Sequence, residues 1–378
     1  MDNELRIIIS GGGTGGHIFP AVSIANAIKA ERPDAKILFV GALGRMEMQR
    51  VPAAGYEIKG LPVRGLIRPL WSPRNIGVAI DFLKSKHMVK GIIRDFRPMA
   101  AVGVGGYASA ATLEAAHAMG IPCLIQEQNS YAGVTNKRLA GKAERICVAY
   151  DGMERFFPAE RIVMTGNPVR QTLLTVRIPK EEAVKEFGLE PGKRTVLIVG
   201  GSLGARTLNE SVLSNLSLIR QQGMVQFIWQ TGKYYSEEIA RRLKESYCPP
   251  NLKVMDFIGN MNAAYAAADL VISRAGAGSI SEFCLLGKPV ILVPSPNVAE
   301  DHQTKNAMAL VNKDAALYVA DAEAVKTLIP LAVNTVNSVQ ELDTLSRNIR
   351  RMGRPDAARI IAEEVVALAE EEKTSREQ

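Results

Sequence analysis

The chain has 378 residues, of which 47% are hydrophobic and 22% are charged, and its formal net charge at pH 7 is +7. This composition is that of a globular protein, and the length is enough for two to three domains. The uncharged segment 99–113 is shorter than the roughly 20 apolar residues that cross a bilayer, and the N terminus has no signal-peptide pattern. We therefore expect a protein made and kept in the cytosol.

The four cysteines show no paired spacing and no neighbouring histidine of the kind that binds a metal. We predict reduced, mostly buried thiols at Cys123, Cys147, Cys248 and Cys284. The sequence contains neither a complete P-loop motif nor an aspartate-any-aspartate pair for a divalent ion. We therefore predict no metal site and no cofactor.

In chain order, short β-branched segments alternate with helical segments, and this pattern occurs twice. Such alternation predicts parallel, doubly wound sheets, and because the pattern restarts near residues 165–194 we predict two of them. The first series of predicted strands comprises residues 7–9, 37–40, 101–104 and 124–125, and the second comprises residues 195–199, 226–229, 253–255, 270–273 and 290–293. An amphipathic helix is predicted from Pro355 to about Glu371.

Four glycine-rich segments follow predicted strands: residues 11–17, 103–109, 200–205 and 275–279. A single such loop is commonly only a tight turn, but four in corresponding places favour binding of two phosphorylated substrates at helix N-termini. The first loop matches the dinucleotide fingerprint GxGxxG. The acidic residue that would hold the ribose is missing from residues 39–42, so NAD is not expected.

Residues 64–97 contain eight basic residues against two acidic ones and therefore predict an anionic partner surface. Nucleic acid and phospholipid both have this charge, but no aromatic β platform or basic recognition helix is evident, and we predict no nucleic acid. Apolar residues between the basic ones fit an interfacial element that enters lipid headgroups, although some must instead form the core face of a helix. The proposed apolar docking residues are Leu66, Ile67, Leu70, Trp71, Ile76, Val78, Ile80, Phe82 and Leu83.

Several longer motifs, in this order, resemble the MurG family of glycosyltransferases, which add N-acetylglucosamine to lipid I in peptidoglycan synthesis. They are GGGTGGHIFPA (11–21), GVGGYAS (103–109), QEQNSYAGVTNK (126–137), TGNPVR (165–170), GGSLGARTLN (200–209), residues 256–282 and residues 287–307. The resemblance implies a GT-B fold of two Rossmann-like domains facing across a cleft. Residues 1–166, with helix 355–378 packed back on them, would form the acceptor and membrane-docking domain, and residues 167–354 the domain that binds UDP-N-acetylglucosamine.

The resemblance also implies roles for individual residues. Ser202 and the amides of Ala277, Gly278 and Ser279 would bind the donor diphosphate, with Ile280 and Ser281 in the same motif. Glu282 would bind the ribose, and the backbone of Ile258 would bind uracil. The N-acetylglucosamine would contact Gln303, Asn129, Thr14, Gly15 and Gly16, and Arg170 would complete the donor pocket. The acceptor diphosphate would lie on the first two glycine loops, at Gly13, Gly105, Gly106 and Tyr107.

For the reaction, we expect the acceptor 4-hydroxyl to displace UDP with inversion, and His17 to act as the general base. Glu127 is the alternative base. Each site residue also has a structural interpretation: Glu282 as a helix-dipole acid, Asn129 as a turn cap, Arg170 as a surface ion-pair partner and His17 as a backbone-bonded helix residue.

The expected location is the cytoplasmic face of the inner membrane, with other cell-wall synthesis proteins as further candidate partners. Two other classes of function remain open. The first is another enzyme that uses UDP-N-acetylglucosamine, such as a 2-epimerase or a glycolipid synthase. The second is a non-catalytic scaffold that binds a sugar nucleotide.

Overall fold

The computed structural model describes residues 4–65, 69, 71–170 and 172–377. Backbone contacts divide the chain into two compact units. The N-terminal unit comprises the chain up to Arg170 together with the segment from Arg354 onward, and the C-terminal unit comprises the residues between them. Three of the predicted docking residues, Leu66, Ile67 and Leu70, lie outside the described residues.

The N-terminal unit contains a seven-stranded parallel sheet in the order β3-β2-β1-β4-β5-β6-β7. Its strands are β1 Arg6–Ser10, β2 Lys36–Ala42, β3 Glu57–Leu61, β4 Ala100–Gly103, β5 Cys123–Glu127, β6 Arg145–Val148 and β7 Ile162–Met164. The four predicted strands of this half are confirmed. Strands β3, β6 and β7 were not predicted, because β3 includes charged residues and β6 and β7 are only three or four residues long.

Helices cover both faces of this sheet. They are α1 Gly15–Glu31, α2 Glu47–Ala53, α3 Arg74–Phe96, α4 Tyr107–His117 and α5 Val134–Leu139. One hydrophobic cluster includes Leu113 of α4 and Val89 of α3, and another includes Ile24 of α1. Because both faces are covered, strand residues such as Ile7 and Ile8 are fully buried, which explains their continuous apolar runs.

The C-terminal unit contains a six-stranded parallel sheet in the order β10-β9-β8-β11-β12-β13. Its strands are β8 Arg194–Val199, β9 Val225–Gln230, β10 Leu252–Met255, β11 Leu270–Ser273, β12 Val290–Leu292 and β13 Leu317–Tyr318. Its helices are α6 Thr172–Thr175, α7 Lys180–Glu186, α8 Arg206–Leu213, α9 Leu216–Arg220, α10 Ser236–Ser246, α11 Met261–Ala267, α12 Ala277–Leu286, α13 His302–Val311, α14 Ala324–Asn337 and α15 Val339–Arg350. All five predicted strands are confirmed, and only the two-residue β13 was missed.

The final helix, α16 Ala357–Glu377, packs on α1 in the N-terminal unit. Its residues Ile361, Val365 and Leu368 are buried in the same cluster as Ile24. The predicted apolar face of this helix is thus confirmed. Among the described residues, no helix combines the length and the apolar character that crossing a bilayer requires.

All four cysteines are free, and three of them are buried. Burial raises the pKa of the Cys284 thiol to about 12 and raises those of Cys123 and Cys147 further. These thiols are therefore protonated at neutral pH and poor nucleophiles. The prediction of mostly buried cysteines is confirmed.

Candidate functional site

His17 lies in the first turn of α1, directly after the first glycine loop. Its Nδ1 atom is 2.9 Å from the carbonyl oxygen of Gly12. Because a carbonyl oxygen can only accept a hydrogen bond, Nδ1 carries the proton, and the neutral ring keeps its lone pair on Nε2. This is the tautomer in which Nε2 can accept a proton from a substrate hydroxyl.

The second glycine loop packs against the first. It follows β4, which pairs with β1 so that Gly103 lies opposite Ser10. Gly105 and Gly106 have φ values of +103° and +88°. A Cβ atom at Gly105 would lie 2.9 Å from His17 Nε2, and one at Gly106 would lie 2.8 Å from the Gly12 oxygen. Only glycine allows this close approach, so the structure brings these two predicted site loops together.

Glu47, in the first turn of α2, supports the first glycine loop and was not predicted. Its side chain is fully buried, and its carboxylate accepts hydrogen bonds from the backbone N–H groups of Gly13 and Ala42, each at 3.0 Å. A dinucleotide site would place an acidic residue at the end of β2, where it would bind the ribose. The acid instead follows β2 by one short loop and binds this protein's own backbone.

This contact bears on the predicted role of Gly13. The Gly13 N–H group already donates a hydrogen bond to Glu47. The Glu47 carboxylate lies behind the first glycine loop, and its negative charge repels a phosphate. Binding of the acceptor diphosphate by the Gly13 N–H would require this hydrogen bond to break, and that role of Gly13 stays a prediction. Thr14 and Gly16, by contrast, are exposed at the N-terminus of α1, and Tyr107, at the N-terminus of α4, is also exposed.

Glu127, the alternative general base, is only 1% exposed and accepts four hydrogen bonds. The donors are the Asn129 N–H at 3.0 Å, the Asn129 Nδ2 at 3.2 Å, the Gly133 N–H at 3.0 Å and the Asn136 Nδ2 at 2.9 Å. A carboxylate whose oxygens are both occupied is poorly placed to take a proton from a substrate. Its role is to hold the loop that carries Asn129.

In the C-terminal unit, the predicted diphosphate site is the N-terminus of α12. Gly276 precedes the helix, and Ala277, Gly278 and Ser279 form its first turn, where backbone N–H groups have no partner within the helix. Such a terminus attracts an anion. Among the described residues, no group of three histidine, cysteine, aspartate or glutamate side chains could hold a metal ion.

Two predicted members of this motif have other roles. Ile280 is buried, and its N–H donates to the Gly276 oxygen at 3.0 Å, so it supports the helix and not the ligand. The Ser281 hydroxyl donates to the Ala277 oxygen at 2.9 Å, within the same helix. The sequence motif alone could not distinguish these two residues, which bond within the helix, from those predicted to contact the ligand.

Glu282, the predicted ribose ligand, lies one turn further along α12. Its Oε2 atom accepts a hydrogen bond of 2.8 Å from the hydroxyl of Tyr265 on α11. The Tyr265 ring is buried and contacts Phe283 edge to face, with a centroid distance of 5.8 Å. Tyr265 therefore fixes the orientation of the carboxylate, and sequence analysis did not identify it.

Gln230, at the end of β9, joins two further loops of the predicted donor site. Its Nε2 donates to the Gly201 oxygen at 2.9 Å, and its Oε1 accepts from the Ile258 N–H at 2.8 Å. The Ile258 N–H is thus occupied, and its carbonyl group is the part that uracil can contact. Ser202, beside Gly201, is exposed.

Gln303, in the first turn of α13, accepts a hydrogen bond from the Ser295 N–H at 2.8 Å through its Oε1. Its Nε2 group is the part that a sugar hydroxyl could use.

Immediately before α13, Glu300 and Asp301 have φ values of +54° and +51°. Two consecutive non-glycine residues with positive φ values make the backbone at the start of α13 a strained segment. Arg170 is half-buried and is the last residue of the N-terminal unit before the chain enters the C-terminal unit.

Helix α3 carries the predicted docking surface. Ile76, Ile80 and Leu83 are exposed, as is Trp71 before the helix, which is 84% exposed. Val78, by contrast, is buried, and Phe82 packs against the hydrophobic core. These two predicted docking residues therefore belong to the core face of the helix, as the structural interpretation anticipated.

One of the basic residues of this helix has a structural partner. Lys86 lies 2.7 Å from Glu114, a buried residue of α4 that also pairs with Arg138 at 2.9 Å. Burial alone would raise the pKa of Glu114, but Lys86 and the neighbouring cations lower it below its ordinary value. Lys84, on the same helix, is exposed.

Comparisons with known proteins agree with this architecture. Residues 7–148 match the model for the glycosyltransferase family 28 N-terminal domain, and residues 195–360 match that for its C-terminal domain. A Bacteroides fragilis protein named UDP-N-acetylglucosamine–N-acetylmuramyl-(pentapeptide) pyrophosphoryl-undecaprenol N-acetylglucosamine transferase is 65% identical, over 98% of this chain and 97% of its own. A Porphyromonas gingivalis protein of the same name is 54% identical, over 99% of both chains.

Among solved structures, Acinetobacter baumannii MurG is 27% identical, with a TM-score of 0.76 over 96% of this chain and 99% of its own. A Neisseria meningitidis UDP-N-acetylglucosamine 2-epimerase, 13% identical, has a TM-score of 0.67 over 96% of this chain and 100% of its own. At that identity the second match shows a shared fold alone. The family models and the close relatives show that the chain is a glycosyltransferase of the GT-B fold, belonging to glycosyltransferase family 28 and to the MurG family within it.

Proposed function

We propose that the protein transfers N-acetylglucosamine from UDP-N-acetylglucosamine to the 4-hydroxyl of the N-acetylmuramyl group in lipid I. The name and the 65% identity of the Bacteroides fragilis relative support this substrate pair. The observation that carries the chemistry is the pairing of His17 Nδ1 with the Gly12 oxygen, which leaves Nε2 as a proton acceptor.

In this proposal the N-terminal unit supplies the general base. His17 Nε2 takes the proton of the acceptor hydroxyl as that oxygen attacks the anomeric carbon and UDP leaves from the opposite face. The bond to UDP breaks, the new glycosidic bond forms, and the configuration is inverted. General-base assistance of this kind is worth about 10²–10⁴-fold in rate.

The C-terminal unit binds the donor in this proposal. The first-turn amides of α12 stabilise the charge of the UDP diphosphate, and Glu282 accepts hydrogen bonds from the ribose. Gln303 binds a hydroxyl of the sugar. Backbone donors at a helix N-terminus replace a divalent cation in this account.

The assignment is tested by measuring UDP release from UDP-N-acetylglucosamine with and without a lipid I analogue. Release that depends on the analogue supports the transferase. Consumption of donor without any acceptor would support a 2-epimerase, and no consumption would support a scaffold. The fold alone does not separate these outcomes, because the Neisseria meningitidis epimerase shares it.

We further propose that α3 and Trp71 dock on the anionic cytoplasmic face of the membrane, where the lipid acceptor is found. The exposed Ile80 and Leu83 lie beside the exposed Lys84 on this helix. Apolar side chains can enter the headgroup region while basic ones bind anionic lipids.

The docking proposal is tested with the Lys84→Glu variant and vesicles that contain anionic phospholipid. One basic residue contributes about 1 kcal/mol, so charge reversal should weaken binding by about 2 kcal/mol, or roughly 30-fold. Lys244→Glu, on the exposed side of α10, is the matched control. Lys86 is unsuitable because its removal would also take away one of the cationic partners of the buried Glu114. Unchanged vesicle binding by Lys84→Glu would contradict the proposal.

A further inference from the structure

The buried carboxylate of Glu47 and the ring of His17 bind the two ends of one peptide group. The Gly12–Gly13 peptide donates its N–H to Glu47 Oε2 at 3.0 Å. The carbonyl oxygen of the same peptide pairs with His17 Nδ1 at 2.9 Å. A continuous hydrogen-bonded chain therefore runs from the carboxylate through one peptide to the imidazole.

Hydrogen bonds in such a chain polarise one another. A carboxylate that accepts from the N–H shifts electron density toward the carbonyl oxygen, which then becomes a stronger acceptor for the His17 Nδ1–H group. The bond from the N–H to the carboxylate is itself charge-assisted and thus stronger than a neutral one. The effect is to hold the ring in the tautomer with its lone pair on Nε2.

The surrounding residues show that this site is built for a carboxylate. A Cβ atom at Gly12 would lie 2.1 Å from Glu47 Oε1, and one at Gly41 would lie 2.7 Å from Glu47 Cγ. Glycine at both positions makes room for the side chain. A buried charge is costly unless it is hydrogen-bonded, and here both oxygens accept from backbone N–H groups, one from Gly13 and one from Ala42.

The two glycine loops that contribute Gly12 and Gly105 beside the His17 ring contain no charged residue. Residues 11–16 and 103–106 consist of glycine, threonine and valine. The first titratable side chain after the second of these segments is that of Tyr107. Glu47 is thus the charged group that reaches His17 through a single peptide.

We propose that Glu47 is a positioning residue for His17 and sets its tautomer through the Gly12–Gly13 peptide. Aspartate does this by direct contact with the histidine in serine proteases, where the wrong tautomer greatly lowers turnover. Here the carboxylate acts from behind the glycine loop. The inference rests on the proposed role of His17 as the general base.

The test is ¹⁵N NMR of histidine-labelled protein, which reports the tautomer of each ring directly. The chain has only four histidines, so His87, His117 and His302 serve as internal controls. In the unaltered protein His17 should be the Nδ1–H tautomer when neutral. In Glu47→Gln the fraction of the Nε2–H tautomer should rise, because the glutamine amide presents donors where two N–H groups need acceptors.

Kinetics provide the second measurement. Glu47→Gln should lower kcat by at least about 10-fold, and by no more than the ~10²–10⁴-fold that a general base contributes. The KM for UDP-N-acetylglucosamine should change less than about twofold. Glu144→Gln is the matched control, since Glu144 accepts a backbone N–H from Cys123 at 2.6 Å, in the same unit but with no link to His17. A loss of stability alone would affect both variants and would not change the His17 tautomer.

An Nε2–H tautomer in the unaltered protein overturns the proposal without any variant, even if Glu47→Gln does not fold. An unchanged tautomer in folded Glu47→Gln also overturns it. A changed tautomer with unchanged kcat leaves the positioning role of Glu47 intact. In that case the general-base assignment of His17 fails instead.

Discussion

The two units place glycine loops at the same ends of their parallel strands but support them with different chemistry. In the N-terminal unit, buried carboxylates hold two of the loops: Glu47 binds the first glycine loop and Glu127 binds the loop of Asn129. The second glycine loop is held there by an amide, since Gln128 donates to the Val104 oxygen at 2.9 Å. In the C-terminal unit, neutral side-chain amides hold the loops. Gln230 binds Gly201 and Ile258, and Gln303 binds Ser295.

The difference follows from the charge that each unit must stabilise. In the proposed reaction, the imidazole in the N-terminal unit becomes positive, which a nearby carboxylate favours. In the same proposal the C-terminal unit binds the UDP diphosphate, which a buried carboxylate behind its loops would repel. A doubly wound fold supplies loop positions, and the residues behind the loops adapt each position to its ligand.

The largest expected effect is that of removing the base. His17→Ala should lower kcat by about 10²–10⁴-fold, because the acceptor hydroxyl loses its proton acceptor, while UDP affinity stays nearly unchanged. Steady-state kinetics and UDP titration measure the two quantities. His117→Ala, at an exposed position in α4, is the control. Near-normal turnover in His17→Ala would move the base to another residue.

A second variant replaces a neutral amide that holds loops of the C-terminal unit with a carboxylate. In Gln230→Glu, a carboxylate oxygen would replace the Nε2 donor that lies 2.9 Å from the Gly201 oxygen. An unpaired buried polar group costs about 1–3 kcal/mol, so KM for UDP-N-acetylglucosamine should rise by roughly 5- to 150-fold with a smaller change in kcat. Gln222→Glu, just after α9, is the control. An unaltered KM would show that neutral support is not required.

The smallest predicted effect concerns the ribose carboxylate. Tyr265→Phe removes the 2.8 Å hydrogen bond to Glu282 and keeps the buried ring. A net loss of about 1 kcal/mol should raise KM for the donor about fivefold and leave kcat nearly constant. A 2′,3′-dideoxy donor should abolish the difference between Tyr265→Phe and the unaltered enzyme. If the difference persists with that donor, Glu282 does not bind the ribose. Tyr247→Phe, at an exposed position, is the control.

Much of the fold was predictable because it depends on local patterns. Runs such as Val196 to Val199 are apolar throughout, which is typical of strands buried on both faces, and glycine loops mark their ends. The strands that were missed, such as Ile162–Met164 and Leu317–Tyr318, are too short to have a periodic pattern. The positions of His17 and the α12 N-terminus were likewise visible as motifs.

The sequence by itself determined two parallel sheets, the glycine turns after their strands and the family to which the motifs belong. Only the tertiary structure identified Glu47, Tyr265 and Gln230 as supports and assigned Val78 and Ile280 to the core. The physical reason is distance along the chain. Glu47 is separated from Gly13 by a helix and a strand, and a hydrogen bond across that separation leaves no pattern in the sequence.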